Sequence, residues 1–437
     1  MFRQELWAIE RLQALEGDLV LEAAKEDNVF EIVALEDVEK QVHGTLRRHL
    51  EAWEEAGAGK FATNVIKEGF KLNMKEVPGA YEEKNNKSFE KDEKFAKEAI
   101  TKLVKMKVLK EVKREEVSCI NPLTVATNDK GKKRLCIDLS RYVNEFTEAK
   151  KFKIESTLQF LQVVQPGDFM WTFDLKAAYH QVPMYEPHWR YLGLAAVFGG
   201  VKKYFVFTCL PFGLNDAARA LTKLLRFPLQ RWREWGARAF IHLDDGAGAV
   251  AGEARAQRVA DRVRRNLADF GLLTSDDKCT WKVSQEIEWT GWRISTAEFM
   301  IYVPERKLLK AEAKLDELLK SVGKRIKVKS ISSIVGLIIS FGLAMGRAAR
   351  FHTRFSTMEV ARVVEAQGWG ASVVMPAEVI GELKFWRENL RRLNGQRIRK
   401  TAGVEVVRPR LLYSDAGGHM AGGAMIENRM VNEDTVF

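Results

Sequence analysis

Two acidic signatures stand 70 residues apart, each closing an apolar run: Phe169-Met170-Trp171-Thr172-Phe173-Asp174, and Ala239-Phe240-Ile241-His242-Leu243-Asp244-Asp245. A carboxylate placed where a buried strand surfaces is costly to desolvate unless a positive charge meets it there. Carboxylates from two separate strands are a donor set suited to a pair of divalent cations, the arrangement used in phosphoryl transfer. Residue type and position therefore put nucleotide polymerisation ahead of other chemistry.

The elements that must carry these residues are legible around them. Leu123–Thr127 and Arg134–Asp138 flank a polar turn and read as a hairpin. A second hairpin joins YLGLAAVF to VKKYFVFTCL through Gly199-Gly200, whose tolerance of positive φ suits a two-residue turn. A third is expected where AFIHL and AGAVA flank a turn at Asp244-Asp245-Gly246. Phe89 to Val108 has helical periodicity, with Phe95, Ala99, Ile100, Leu103 and Val104 on one side. Residues 77–88 read as a polar linker and Gly57–Lys60 as a helix break. From Pro304 an amphipathic charged helix precedes the basic run Gly323–Lys329, and a second basic segment covers 387–400. Both basic segments are candidate contacts to a duplex backbone. A last strand is expected at Leu411–Asp415.

The chain has 437 residues, 46% hydrophobic and 30% charged, enough for about three domains. Its net charge of +11 is uneven: residues 1–60 hold 7 Lys/Arg against 14 Asp/Glu, and the remainder nets +18. A basic body with an acidic leader points to a polyanionic partner for the body. Cys119, Cys136, Cys209 and Cys279 are too far apart for a Cys-x-x-Cys metal site and read as small apolar residues in a reducing compartment. His43 and His49 lack the spacing of a ligand pair and read as surface histidines. The start has no signal-peptide core, and the apolar run Ile331–Met345 falls short of the roughly 20 residues that span a bilayer. An intracellular protein of cytoplasm or nucleus, with no membrane partner, is expected.

In order along the chain, SCINPLTVATNDKGKKRLCIDLSRYVNEFT, FDLKAAYHQV, YFVFTCLPFGLNDAARALTKLLR, HLDDG, GLLTSDDKCTW and IEWTGWRIS resemble the motifs of reverse transcriptases. Within that family the chain is most similar to DIRS-type (tyrosine-recombinase) retrotransposons. The resemblance implies an α+β right-hand polymerase of fingers, palm and thumb with an antiparallel palm sheet. It divides the chain into an acidic helical leader (1–60), a fingers-side region (61–170), a palm (171–295, with a fingers insertion near 185–210), a basic helical thumb or connection (296–400) and the opening strands of an RNase H-like domain (405–437), read as truncated because few carboxylates follow Asp415.

The resemblance also implies roles. Asp174 and Asp244 would bind two Mg²⁺ ions (or Mn²⁺), with the Leu175 carbonyl as a further ligand and Asp245 in support. Lys278 would protonate or stabilise the leaving pyrophosphate, and Arg134 would contact the triphosphate. Phe212 and Gly213 would line the nucleotide pocket, while Trp289, Thr290 and Gly291 would hold the primer end. Tyr179 occupies the steric-gate position, where an aromatic ring leaves no space for a 2′-hydroxyl; RNA-dependent RNA polymerases usually carry aspartate there. The partners implied are an RNA template, a DNA primer or duplex, and dNTPs. Two positions depart from the family pattern: His242 stands where Tyr or Phe is usual, and Thr127-Asn128 where a triphosphate-contacting lysine is usual. Lys278 remains open to a plainer reading as a surface lysine, Trp289 to one as core, and the whole chain to one as a non-catalytic nucleic-acid-binding relic.

Overall fold

The computed structural model describes residues 42–127, 131 and 133–398, and the backbone of 410–416 and 421–427. The first 41 residues of the leader, Asn128 of the expected triphosphate-contact turn and the last residues of the second basic segment lie outside the described residues.

A four-stranded antiparallel sheet carries both acidic signatures. Its order is Thr280–Ser284, Asp168–Asp174, Asp245–Ala251, Arg238–His242. Alternation along a strand splits its side chains between two faces. Met170, Thr172 and Asp174 pair with Ala249, Ala247 and Asp245 on one face, and Phe240 and His242 continue that row. Trp171 and Phe173 point the other way, opposite Gly248 and Gly246. Helices Ala217–Glu234 and Glu253–Asp269 lie on the Trp171 face; the second buries Ala256, Ala260, Val263 and Leu267, a stripe at helical spacing. Trp232 Nε1 donates to Asn266 Oδ1 at 2.8 Å and joins the two helices. The Met170 face packs on Phe160, Trp289, Ile294 and Ile301.

The third hairpin is shifted from its expected position. Strands Arg238–His242 and Asp245–Ala251 leave only Leu243 and Asp244 in the turn. Asp245 and Gly246 are strand residues, because Gly246 is needed for close packing under Phe173 rather than for turning the chain.

A five-stranded sheet combines Tyr81–Glu82, Cys119–Ile120, Gly193–Phe198, Val201–Phe207 and Leu109–Val112. The Gly199-Gly200 turn has φ of 56° and 82°. The expected linker is partly structured: Tyr81–Glu82 pairs in parallel with Cys119–Ile120, and Lys87 opens a helix. The expected helix over 89–108 is two, Lys87–Lys91 and Glu93–Lys105, broken at Asp92, and it stops before strand Leu109–Val112. Gly57, at φ 83°, separates helices Leu50–Glu55 and Lys60–Glu68 as expected. His43 and His49 tie this segment to the body: His43 is half-buried against Thr208 Oγ1, and His49 Nδ1 bonds the Asp269 carbonyl at 2.8 Å.

Helices Glu305–Leu319, Val328–Ile339, Arg354–Gln367 and Ala377–Asn389 enclose a separate core around Leu315, Ile331, Ile334, Leu383 and Trp386. Within the second basic segment, Arg387 pairs with Asp316 and Arg391 with Glu305 and Glu312. Arg387 and Arg391 are thus engaged with the acidic helix beside them. Lys324, Arg325, Lys327 and Lys329 are exposed along strand Arg325–Lys327 and its flanks. Strand Arg410–Ala416 contains the expected last strand and pairs with Ala421–Glu427. Among the described residues no helix is long and apolar enough to cross a membrane.

Candidate active site

The chain leaves the Asp168–Asp174 strand directly beside the Leu243–Asp244 turn. Asp174 and Asp245 are direct cross-strand partners, so their side chains share a face. The Leu175 amide donates to the Asp244 carbonyl at 2.9 Å, fixing the turn against the strand exit. Leu243 (φ 59°) and Ala177 (φ 47°) both hold left-handed backbone, a conformation costing roughly 1–2 kcal/mol for a residue with a Cβ. Each sits between site residues, so local strain is spent on aiming them.

Lys278 Nζ lies 3.4 Å from Asp174 Oδ1, at the end of the short 3-10 turn Asp276–Lys278. The lysine is thus directed to the carboxylate. Burial, reinforced by Asp244 and Asp174, pushes the Asp245 carboxyl up to about 6, with Lys278 and His242 opposing. That excess of negative charge, made of hard oxygen donors, fits a divalent cation. Among the described residues no group of three His, Cys, Asp or Glu is arranged to hold an ion. Mg²⁺ is commonly bound by one or two carboxylates with waters and substrate phosphates completing its shell, so two or three aspartates suit an ion shared with a nucleotide.

Tyr179 begins at the same strand exit, on the short helix Ala178–Gln181. Its hydroxyl is pushed up to about 12 by burial and, secondly, by Asp244. Its ring meets Phe212 edge-on at 4.9 Å. Gly213 (φ 89°) follows, its carbonyl accepting from Asn144 Nδ2 at 2.8 Å. Asn215 returns the contact through its amide N–H to Asn144 Oδ1 at 3.1 Å.

The Glu286–Trp289 and Trp292–Ser295 hairpin lies on the carboxylate face, with Thr290 (φ 48°) and Gly291 (φ 74°) in its turn. Trp289 is 3% exposed and packs against Phe160 at 5.2 Å, a core position. Thr290 Oγ1 hydrogen-bonds Thr157 Oγ1. Arg134 sits on the separate Leu123–Thr127/Lys133–Ile137 hairpin, opposite Ala126. His242 Nδ1 is 2.8 Å from the Glu155 carbonyl, which can only accept, so this nitrogen carries the proton.

The structure therefore brings Asp174, Leu175, Asp244, Asp245, Lys278, Tyr179 and Phe212 into one neighbourhood. Asn144, Asn215, Glu155 and Gln181 were not singled out from the sequence. Polar residues of this kind carry no spacing signal, and their partners are distant in the chain.

Residues 115–294 match the family model described as reverse transcriptase (RNA-dependent DNA polymerase). Over 167 residues the chain is 32% identical to the retrovirus-related Pol polyprotein from transposon gypsy of Drosophila melanogaster, covering 37% of this chain but 15% of that polyprotein's length. Among solved structures, the foamy viral protease-reverse transcriptase bound to an RNA/DNA hybrid aligns over 91% of this chain and 54% of its own, with TM-score 0.59 and 15% identity. The same protein bound to dsDNA aligns over 90% and 83%, again with TM-score 0.59 and 15% identity. The chain has the right-hand polymerase fold, and its residues 115–294 are similar in sequence to reverse transcriptases, while the chain spans only a small part of the polyprotein it matches.

Proposed function

We propose that the chain is an RNA-directed DNA polymerase that extends a DNA primer on an RNA template with dNTPs. The observation that carries this reading is the convergence of Asp174, Asp244 and Asp245 with Lys278, with the Tyr179–Phe212 pair behind them. Asp174, Asp244 and the Leu175 carbonyl, with Asp245 in support, would hold two Mg²⁺ ions, which when bound lower the pKa of the primer 3′-hydroxyl and neutralise charge on the departing pyrophosphate.

The protein's own residues supply the rest. Lys278, held near Asp174, is placed to donate a proton or a positive charge to the leaving group. Tyr179, braced by Phe212, excludes a 2′-hydroxyl by bulk, and Gly213 leaves room for the nucleotide. The Thr290-Gly291 turn supports the primer end, with Trp289 anchoring the hairpin from below. Arg134 offers its planar donor fork to the triphosphate. We assign residues 61–170 and 185–210 to fingers, 171–295 to palm and 296–400 to thumb. The 410–427 hairpin is read as the opening of an RNase H-like sheet. The finer placement beside DIRS-type elements rests on the motif run alone.

Primer extension with RNA or DNA templates, each with dNTPs or rNTPs, tests the reading. Extension with dNTPs on RNA is expected, and Asp174→Asn should abolish it while template–primer binding persists. Binding without extension by the unaltered chain, or wild-type rates in Asp174→Asn, would refute it.

A further inference from the structure

Gln181 ends the short helix that begins beside the carboxylates, and its side chain is 1% exposed. Its amide makes three hydrogen bonds. Nε2 donates to the carbonyls of Lys176 at 2.7 Å and Leu273 at 3.0 Å, and Oε1 accepts from the Leu273 amide at 2.8 Å. Lys176 lies between Asp174 and Tyr179. Leu273 opens the segment that runs through Thr274 and Ser275 into the Asp276–Lys278 turn.

The same two segments also meet through their backbones. The Lys176 amide donates to the Leu273 carbonyl at 2.9 Å, Leu175 bridges Thr274, and the Ser275 amide donates to the Asp174 carbonyl at 2.8 Å. The Lys278 amide then closes onto the Ser275 carbonyl at 3.0 Å. The zipper thus ends at Asp174 on one side and at Gln181 on the other. Removing the Gln181 amide takes away the bond from the Leu273 amide and one acceptor contact at each carbonyl, in a place where the lost partner is not replaced by bulk water.

We propose that Gln181 is a positioning residue that sets the reach of Lys278 to Asp174. The proposal rests on the reading of Asp174 and Lys278 as polymerase residues. Tyr179 and Gln181, two residues apart on one turn, then have separate tasks: the first faces Asp244 and Phe212, the second holds the segment that delivers Lys278.

A double-mutant cycle in the full chain tests it, using Gln181→Leu, Lys278→Ala and the pair. Gln181→Leu should lower kcat on the order of tenfold, since an ångström of misplacement can cost up to about a hundredfold, with KM for dNTP and template–primer affinity little changed. In the Lys278→Ala background the same change should cost less than about twofold, because coupled residues are not additive. Equal costs in both backgrounds would overturn the proposal. A second readout is independent of catalysis: NMR of reductively ¹³C-methylated lysines, with the Lys278 signal identified by its loss in Lys278→Ala. Gln181→Leu should move that signal toward its position in Asp174→Asn, and an unmoved signal would overturn the proposal. Where Gln181→Leu does not fold, Gln181→Glu, which keeps the acceptor and gives up both donated bonds, is read in the same way. A chain that extends no primer in its unaltered form refutes the polymerase reading, and the NMR arm then decides the Gln181 role by itself.

Discussion

Gly246→Ala should cost both stability and activity, whereas Gly248→Ala should cost mainly stability. Both glycines lie on the Asp245–Ala251 strand, facing aromatic side chains of Asp168–Asp174. A Cβ at Gly246 would fall on three atoms of the Phe173 ring, the farthest of them only 2.5 Å away. One at Gly248 would fall on three atoms of the Trp171 indole, the farthest at 2.7 Å. Carbon atoms pack at about 3.5–4.0 Å, so each ring must retreat by about 1 Å or more. Both rings are buried, Trp171 completely, and Phe173 is packed between Trp232 and Trp281. Overpacking of this kind costs about 1–3 kcal/mol, and the upper end applies because the obstacle is a ring between rings. The gain of about 0.4–1 kcal/mol from restricting the unfolded chain reduces the net loss to about 2 kcal/mol.

The difference between the two sites lies in what moves with the ring. Phe173 immediately precedes Asp174, and Gly246 immediately follows Asp245, so this displacement acts on the carboxylate pair itself. Trp171 and Gly248 lie further inside the sheet. Urea unfolding should show similar destabilisation for the two variants, while kcat for primer extension should fall on the order of tenfold or more only in Gly246→Ala. Phe173→Leu should restore part of the stability lost in Gly246→Ala by making room. Stability of Gly246→Ala within about 0.5 kcal/mol of wild type, or equal kcat losses in both variants, would refute the packing argument.

Other consequences follow from the same geometry. Tyr179→Ala should raise ribonucleotide incorporation relative to deoxyribonucleotide, while Tyr179→Phe keeps the ring against Phe212 and the selectivity; unchanged selectivity in an active Tyr179→Ala would make Tyr179 ordinary core. His180 is fully buried, neither ring nitrogen has a hydrogen-bond partner among the described residues, and burial lowers its pKa to about 4. The native state therefore resists the proton that the unfolded chain takes up near 6.5, so stability is present above that pH and is lost as pH falls toward 4, by about 3 kcal/mol at most. Urea unfolding at pH 7 and 4.5 should show this loss shrinking in His180→Phe, and an identical loss in both proteins would contradict it. Neutralising Lys324, Arg325, Lys327 and Lys329 should flatten the salt dependence of duplex binding, at roughly 0.9 in slope per lost phosphate contact. Removing Arg387 and Arg391 should change that slope less, since acidic partners already engage them.

The sequence exposed what is repeated or chemically abrupt. Strand-ending carboxylates, the Gly199-Gly200 turn and the amphipathic stripe from Glu305 are local patterns, and the structure has strands, turn and helix there. The third hairpin was displaced by one or two residues because Asp-Asp-Gly is strong turn chemistry. Here the turn falls on Leu243, at φ 59°, and a strained leucine leaves no mark in a sequence. The ion pairs of Arg387 and Arg391 in the second basic segment were hidden for a related reason. These two arginines face Asp316, Glu305 and Glu312, which lie 71 to 86 residues away in the chain, so only the folded helix pair reveals that they are engaged.

Gly246 makes the same point at the site itself. As the third member of Asp-Asp-Gly it invites a turn assignment, yet it has strand neighbours on both sides, pairing with Phe173 and Ile241. Glycine is required there because the Phe173 ring lies across its backbone. That ring is wedged by Trp232 from the long helix and by Trp281 from the edge strand. The position of Asp174 is thus set from beneath by three aromatic residues and a missing side chain, while its charge is met from above by Lys278. Sequence spacing can locate the carboxylates, but their aim depends on contacts between residues more than 50 positions apart. A site whose precision comes from packing should tolerate change in exposed lysines remote from it, such as Lys324 and Lys329, better than change in the buried ring and glycine that seat it.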